Sequence, residues 1–215
     1  MKVSSFFGLS VLSLALALTG CKKTETDDLS RIKSYPSIQL IGDEVTVVNR
    51  GEVFTDPGVT ANLAGQALTP VKSGSVNTAV TGVYLLEYKG ANTEGDTVST
   101  VRSVVVTDPV VNSLDQSGTF QRSGFAVSPV TKIGTKGLYQ IGNFGFTSAP
   151  NLFPAYFVQV NATTIVVPPQ TIPGLGFTTF ASINPVFTAG RLTTITYAIN
   201  APGIFGNAPR SAIRL

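Results

Sequence analysis

The sequence predicts an all-β protein built from two successive β domains, a small sandwich followed by an antiparallel barrel or second sandwich. Three observations carry this. Charged residues make up only 13% of the 215, while Gly (21) and Pro (13) together supply 34 turn formers. Short runs rich in Val, Ile, Thr, Tyr and Phe recur between those turn formers, as strands do between reversals. After residue 20 no stretch repeats its apolar residues with helical spacing.

The first domain is expected over residues 36–108. Ser37 to Ile41 and Val45 to Val48 are short β-prone runs. In Phe54-Thr55-Asp56-Pro57-Gly58-Val59, Asp-Pro-Gly makes a turn, because Pro fixes φ and Gly permits a positive one. Ala64-Gly65-Gln66 and Lys72-Ser73-Gly74-Ser75 mark further reversals. Val83 to Lys89 alternates, with Tyr84, Leu86 and Tyr88 on one face and Val83 and Leu85 on the other. Asn92 to Asp96 closes a hairpin, and Val98 to Thr107 returns with the run Val104-Val105-Val106. About seven short strands with regular turns form the sandwich pattern. Asp108-Pro109 ends it, since Pro cannot donate to a ladder.

The second domain is expected over 109–215. Ser117 to Arg122 opens it, and Gly137 to Ile141, Ala155 to Val160, Thr163 to Val167, Phe177 to Ile183 and Leu192 to Ile199 are its candidate strands. Asn161-Ala162 is placed as a hairpin turn, and Ala189-Gly190 as the turn before the last strand. Leu192-Thr193-Thr194-Ile195-Thr196-Tyr197 does not alternate cleanly, which leaves its inward face open.

The first twenty residues read as an export signal. Lys2 precedes a 13-residue apolar run, Phe6 to Leu18, too short for the ~20 residues that span a bilayer. Leu18-Thr19-Gly20-Cys21 holds the chain's one cysteine and resembles the lipobox of bacterial lipoproteins. That resemblance implies a lipid on Cys21, cleavage before it and palmitate-type acylation of the new amino end. Two or three acyl chains hold firmly where one holds marginally, at roughly 0.8 kcal/mol per buried methylene. The expected address is the outer membrane, lipid-anchored and facing the cell surface. Residues 21–35 are then a polar tether, Lys22-Lys23-Thr24-Glu25-Thr26-Asp27-Asp28 lacking any apolar period. Their acids resemble the surface-export signals of Bacteroidetes-type lipoproteins.

Two further resemblances follow from the motifs. Phe54 to Ala61, Ser73 to Thr78, Gly82 to Tyr88 and Arg102 to Val106, in that order, resemble the bacterial surface immunoglobulin-like module, which implies display rather than catalysis. The series Ser117-Gly118-Thr119-Phe120, Gly137-Leu138-Tyr139, Thr163 to Gln170 and Thr193 to Tyr197 resembles an uncharacterised domain that follows such modules in Bacteroidetes-type lipoproteins. It implies an architecture and no chemistry.

The residue inventory bears on catalysis. There is no histidine, the commonest general base and metal ligand, and a lipidated Cys21 is no nucleophile or thiolate ligand. Asp115 is the one carboxylate side chain after residue 109, too few there for paired-carboxylate hydrolysis. No Gly-x-Ser-x-Gly elbow or phosphate loop occurs. The expectation is no enzyme and no cofactor. Calcium, which prefers oxygen ligands, would need Asp43, Glu44, Asp56 and Asp108 to converge, although their spacing forms no calcium loop.

Binding is the remaining expectation. Thirteen of the 19 Phe and Tyr follow residue 109, many in the loop Asn143 to Tyr156. Phe144, Phe146, Phe153 and Tyr156 are candidate ligand contacts, because aromatic faces and nearby amides suit sugars; the competing assignment is the core of a domain without Trp. Phe177 carries the same ambiguity. Residues 36–108 carry −4 and residues 109–215 carry +5, but the six bases of the latter are scattered, so no nucleic acid is expected. Asp96-Thr97-Val98 resembles a bacterial O-glycosylation acceptor, marking Thr97. The expected function is a non-catalytic surface accessory or glycan-binding protein, or else a structural or adhesive protein that contacts another protein. Its partners would be the membrane, through lipid, and a glycan or an outer-membrane protein complex.

Overall fold

The computed structural model describes residues 33–206 and 208–215, so the signal, Cys21 and most of the tether lie outside the described residues. Seven strands form the sandwich: β1 (Pro36–Leu40), β2 (Val45–Asn49), β3 (Val59–Leu63), β4 (Gln66–Ala67), β5 (Val71–Ser73), β6 (Gly82–Ala91) and β7 (Thr97–Thr107). One sheet has the order β1-β3-β4 and the other β2-β7-β6-β5, with β2 parallel to β7. The alternation in β6 falls as its sequence dictates, with Leu86 and Tyr88 in the core and Val83 and Leu85 exposed. The Asp56 carboxylate accepts from the Gly58 N–H at 3.1 Å and Gly58 takes φ +79°, the turn that Asp-Pro-Gly encodes.

The chain leaves β7 through a 3-10 turn, Pro109–Ser113, capped by the Asp108 side chain. It then forms β8 (Gly118–Gln121), β9 (Val127–Ile133), β10 (Leu138–Ile141), β11 (Ala155–Gln159), β12 (Ile165–Val166), β13 (Gln170–Ile172), β14 (Gly176–Thr178), β15 (Phe180–Thr188), β16 (Arg191–Ile199), the short helix α1 (Pro202–Phe205) and β17 (Arg210–Arg214). Eight of these make a nearly closed antiparallel sheet, β12-β11-β10-β9-β8-β17-β16-β15. The hairpin β13-β14 stands apart from it.

Several elements differ from the sequence expectation. β9 and β17 were not anticipated, because Pro129 interrupts the first and two arginines flank the second. The expected strand Phe177 to Ile183 is divided between β14 and β15, and β15 runs on through Pro185, tolerated because β15 is an edge strand. In β16 the ladder slips: Val186 opposes Thr194 and Phe187 opposes Leu192, so Thr193 is the extra residue. That bulge puts Leu192 and Ile195, three apart, into one core together with Tyr197 and Ile199.

β7 is buried on both faces. Val104 and Val106 enter the sandwich core, while Val105 joins a second cluster with Val45, Val158 and Val160. The outer face of β2 and β7 thus packs on the outer face of β10–β12, where Leu138, Tyr156 and Val166 complete the cluster. Residues buried on two faces read as a continuous apolar run, which is what Val104-Val105-Val106 is. Polar contacts fix the seam: Ser103 Oγ donates to the Pro169 carbonyl at 2.6 Å, and the Asp108 N–H to that of Val160 at 2.8 Å. Residues Ser34–Leu215 form one compact unit.

Candidate junction groove

The aromatic loop turns inward. Asn143, itself buried, holds it by donating from Nδ2 to the Thr147 carbonyl at 2.7 Å, while its Oδ1 accepts from the Phe153 N–H. Phe144 and Phe146 are 0% exposed and Phe153 is 9% exposed, all within the barrel core. Phe144 meets Tyr197 edge to face at 4.1 Å, and the Tyr197 hydroxyl donates to the Phe144 carbonyl at 2.5 Å. A Cβ on Gly145 would lie 2.8 Å from the Phe205 ring, so glycine is what lets these rings close together. The expectation of ligand contacts at Phe144, Phe146 and Phe153 is therefore corrected: no surface ligand reaches them, because burying rings is how a Trp-free barrel fills its interior.

Tyr156 is different. Its neighbours Ala155 and Phe157 point into the barrel, so strand alternation turns Tyr156 toward the sandwich, half-buried. Gln170, buried, clamps it: Oε1 accepts from the Tyr156 N–H at 2.7 Å and Nε2 donates to its carbonyl at 2.8 Å.

Tyr156 borders a groove along the junction. One cavity of about 340 Å³ is lined by Gly42, Asp43, Glu44, Ile133, Leu138 and Tyr156. A second, of about 270 Å³, shares Asp43, Val45, Ile133 and Leu138 with it and continues to Thr46, Val47 and the β9–β10 turn at Gly134, Thr135 and Lys136. Domain interfaces are a common place for binding clefts.

The walls are rigid for identifiable reasons. Arg102 on β7 is 0% exposed and donates to the backbone carbonyls of Asp43, Ile41 and Gly58, the latter two at 2.8 and 3.1 Å. Glu44 accepts from the Thr171 N–H and hydroxyl at 2.9 and 2.7 Å. Lys136 donates to Glu52 at 2.6 Å, which holds the Glu52 carboxyl below its usual range, aided by the Asn49 N–H. Behind the loop, Asp56 lies 2.6 Å from Lys72 and accepts from the Tyr88 hydroxyl. Burial opposes its charge, but Lys72, Tyr88 and the Gly58 N–H outweigh it and hold the carboxyl at about 2. Burial, with Asp56 adding to it, pushes the Tyr88 hydroxyl up to about 12. The Asp43 carboxylate, exposed at the groove, makes no hydrogen bond or ion pair among the described residues.

The other sequence candidates fall elsewhere. Asp43, Glu44, Asp56 and Asp108 do not converge; Asp108 pairs with Arg50 at 2.9 Å, and no group of three or more potential acidic, Cys or His ligands forms among the described residues. Thr97 is exposed at the start of β7, opposite Ala91 in the hairpin. Phe177 is 52% exposed at the β13–β14 hairpin. Most of the barrel's bases are occupied internally. Arg214 donates to the carbonyls of Leu192, Ser117 and Gln116 at 2.6–2.7 Å, Lys132 to those of Asn112 and Leu114, and Arg210 to that of Phe205. From sequence Asp43 is a calcium candidate only, and Ile133, Leu138 and Lys136 carry no sequence signal, because the groove joins segments some ninety residues apart and no local motif marks it.

Residues 38–106 match the family of bacterial surface proteins described as an Ig-like domain, and this segment is such a domain. No curated protein matches the chain. Among solved structures, the chain is similar to the lipoprotein BT2262 from Bacteroides thetaiotaomicron, at 19% identity and TM-score 0.37, over 84% of this chain and 100% of that one. It is also similar to the Clostridium perfringens ZmpB M60 catalytic domain with its CBM51-1 and CBM51-2 domains, at 14% identity and TM-score 0.30. That likeness covers 85% of this chain and 20% of the other. No helix among the described residues is long and apolar enough to cross a membrane.

Proposed function

We propose that this chain is a non-catalytic lipoprotein, anchored through Cys21 in the outer membrane and facing outward, which serves as an accessory protein by holding another protein at the sandwich–barrel groove. The surface Ig-like domain supports display, and the Leu18-Thr19-Gly20-Cys21 sequence supports the anchor. The single observation that carries protein contact over glycan capture is the burial of Phe144, Phe146 and Phe153, which leaves Tyr156 as the one aromatic ring of that loop beside the groove. A glycan is the second reading, favoured by that ring next to the unpaired Asp43 carboxylate. Absence of catalysis is supported by the carboxylates themselves: Glu44, Glu52, Asp56 and Asp108 each serve a structural partner.

Photo-crosslinking in intact cells tests it. A benzoylphenylalanine at Ile133, in the groove, should give a discrete protein adduct, whereas one at Phe177 should not. No adduct at Ile133, combined with a glycan-array signal that Tyr156→Ala removes, replaces protein contact with glycan capture. Cys21→Ser should release the protein from the membrane fraction, and surface protease should digest the parent on whole cells.

A further inference from the structure

Strand β2 is the outer edge of its sheet and bonds to β7 alone. The Glu44 carbonyl accepts from the Ser103 N–H at 2.8 Å, and the Arg50 N–H donates to the Thr107 carbonyl at 2.7 Å. Bonding residues alternate along a parallel ladder. Glu44, Thr46, Val48 and Arg50 therefore face β7, and the N–H and C=O of Val45, Val47 and Asn49 point the other way. Asn49 is closed off by Glu52, whose carboxylate accepts from its N–H at 2.8 Å and whose N–H donates to its carbonyl at 3.0 Å. Val45 and Val47 remain, with two donors and two acceptors that no described residue satisfies, and both residues line the 270 Å³ part of the groove.

Exposed edges are ordinarily blunted by proline, bulges or charge. β15, the edge strand of the barrel, has Pro185 and two register shifts. β2 has neither within Val45-Thr46-Val47-Val48, a β-prone run. Its open stretch instead faces a wall, the turn Gly134–Lys136, across a gap.

We infer that the groove takes an extended segment of a partner protein, which adds to β2 as a further strand and sets a Lys or Arg beside Asp43. This deepens the protein-contact reading and rests on it. Alternating donors and acceptors at strand spacing are complementary to peptide backbone, and they do not depend on the partner's side chains. Charge selects among peptides: residues 36–108 carry −4, the groove's own cation, Lys136, is taken up by Glu52, and the Asp43 carboxylate has no ion-pair partner among the described residues. Closure of the edge at Asn49 makes the added strand short.

The test is selection from a random linear peptide library on the full-length protein in detergent, with Val47→Pro as the comparison. Proline removes the groove-facing N–H and not a bond to β7, so the sheet is kept. Selected peptides should be basic and β-prone. They should bind Val47→Pro about tenfold more weakly and Asp43→Asn a few-fold more weakly. Methylating every second peptide amide in one phase should abolish binding, and in the other phase should not. A library that yields no Val47-dependent peptide overturns the inference, as do peptides indifferent to the methylation phase. Should Val47→Pro fail to fold, amide exchange decides: Val45 and Val47 should exchange faster than Thr46 and Val48 in the free protein, and equal protection overturns the idea. A crosslink at Ile133 that survives Val47→Pro preserves protein contact and removes the edge as its basis, whereas loss of every Ile133 crosslink removes protein contact itself.

Discussion

The Arg102 guanidinium lies 3.3 Å from the Asp56 carboxylate, fully buried between the two sheets of the sandwich, while its other nitrogens hold the backbone of the loop that presents Asp43. One buried cation therefore ties the sandwich core to the groove. Removing one partner of a buried pair costs roughly 3–5 kcal/mol, because the other charge is left uncompensated. Lys72 also serves Asp56, so Arg102→Met should sit near the lower figure. Chemical denaturation should show that loss, together with faster amide exchange at Gly42–Glu44.

The same carboxyl makes the protein sensitive to acid. Its folded value, about 2, lies below the ordinary 3.8. A depressed carboxyl contributes stability that is present above its unfolded value and lost as pH falls through the folded one. Stability should decline between about pH 4 and pH 2 by roughly 2 kcal/mol from this group. Asp56→Asn should start lower and show a shallower decline across that window. Equal slopes for parent and variant would assign the acid sensitivity elsewhere.

Sandwich and barrel should unfold together. Val45 and Val105 of the sandwich are buried in one cluster with Val158 and Val160 of the barrel. Calorimetry should give a single transition. Val158→Ala, which removes two methyl groups from the seam, should lower stability by about 2 kcal/mol without splitting the peak.

Much of this was legible from the chain, and the limits have physical causes. Alternation in Tyr84-Leu85-Leu86-Glu87-Tyr88 and the Asp-Pro-Gly turn are local, so the sandwich strands could be read directly. β17 could not, because Arg210 and Arg214 look like solvent residues, and the carbonyls that hold Arg214 at Gln116, Ser117 and Leu192 are distant in sequence. The irregular run in β16 hid a bulge, which only pairing with β15 reveals. The groove was illegible for the same reason: β2 and the β9–β10 turn have no local reason to meet. The aromatic loop carried a genuine ambiguity, since rings that bind and rings that fill a core share a composition, and Asn143 decides it by turning the loop inward.

That inward turn gives a prediction for Phe144. With its ring against Tyr197 and Phe180 and no surface exposed, Phe144→Ala should destabilise the barrel by roughly 3–5 kcal/mol. Tyr156→Ala should cost much less, since that ring is half solvated. Thermal melts of the two variants separate core from surface. Near-equal melts would return Phe144 to the list of contact residues.

The last prediction concerns the barrel's positive charge. Arg214 donates to three backbone carbonyls and stacks 4.8 Å from the Phe120 ring, and Gly118 must lack a Cβ because that atom would lie 2.1 Å from the guanidinium. Such a cation is a strut joining β16, β17 and the start of β8. Arg214→Met should leave those carbonyls short of donors and lower stability by roughly 3 kcal/mol. Arg122→Ala should change stability little, since its guanidinium lies over Phe125 on the partly exposed turn after β8. If the bases are structural, retention on a polyanion column should be weak and insensitive to Arg122→Ala. Strong retention that this substitution abolishes would show that the surplus charge serves an anionic partner after all.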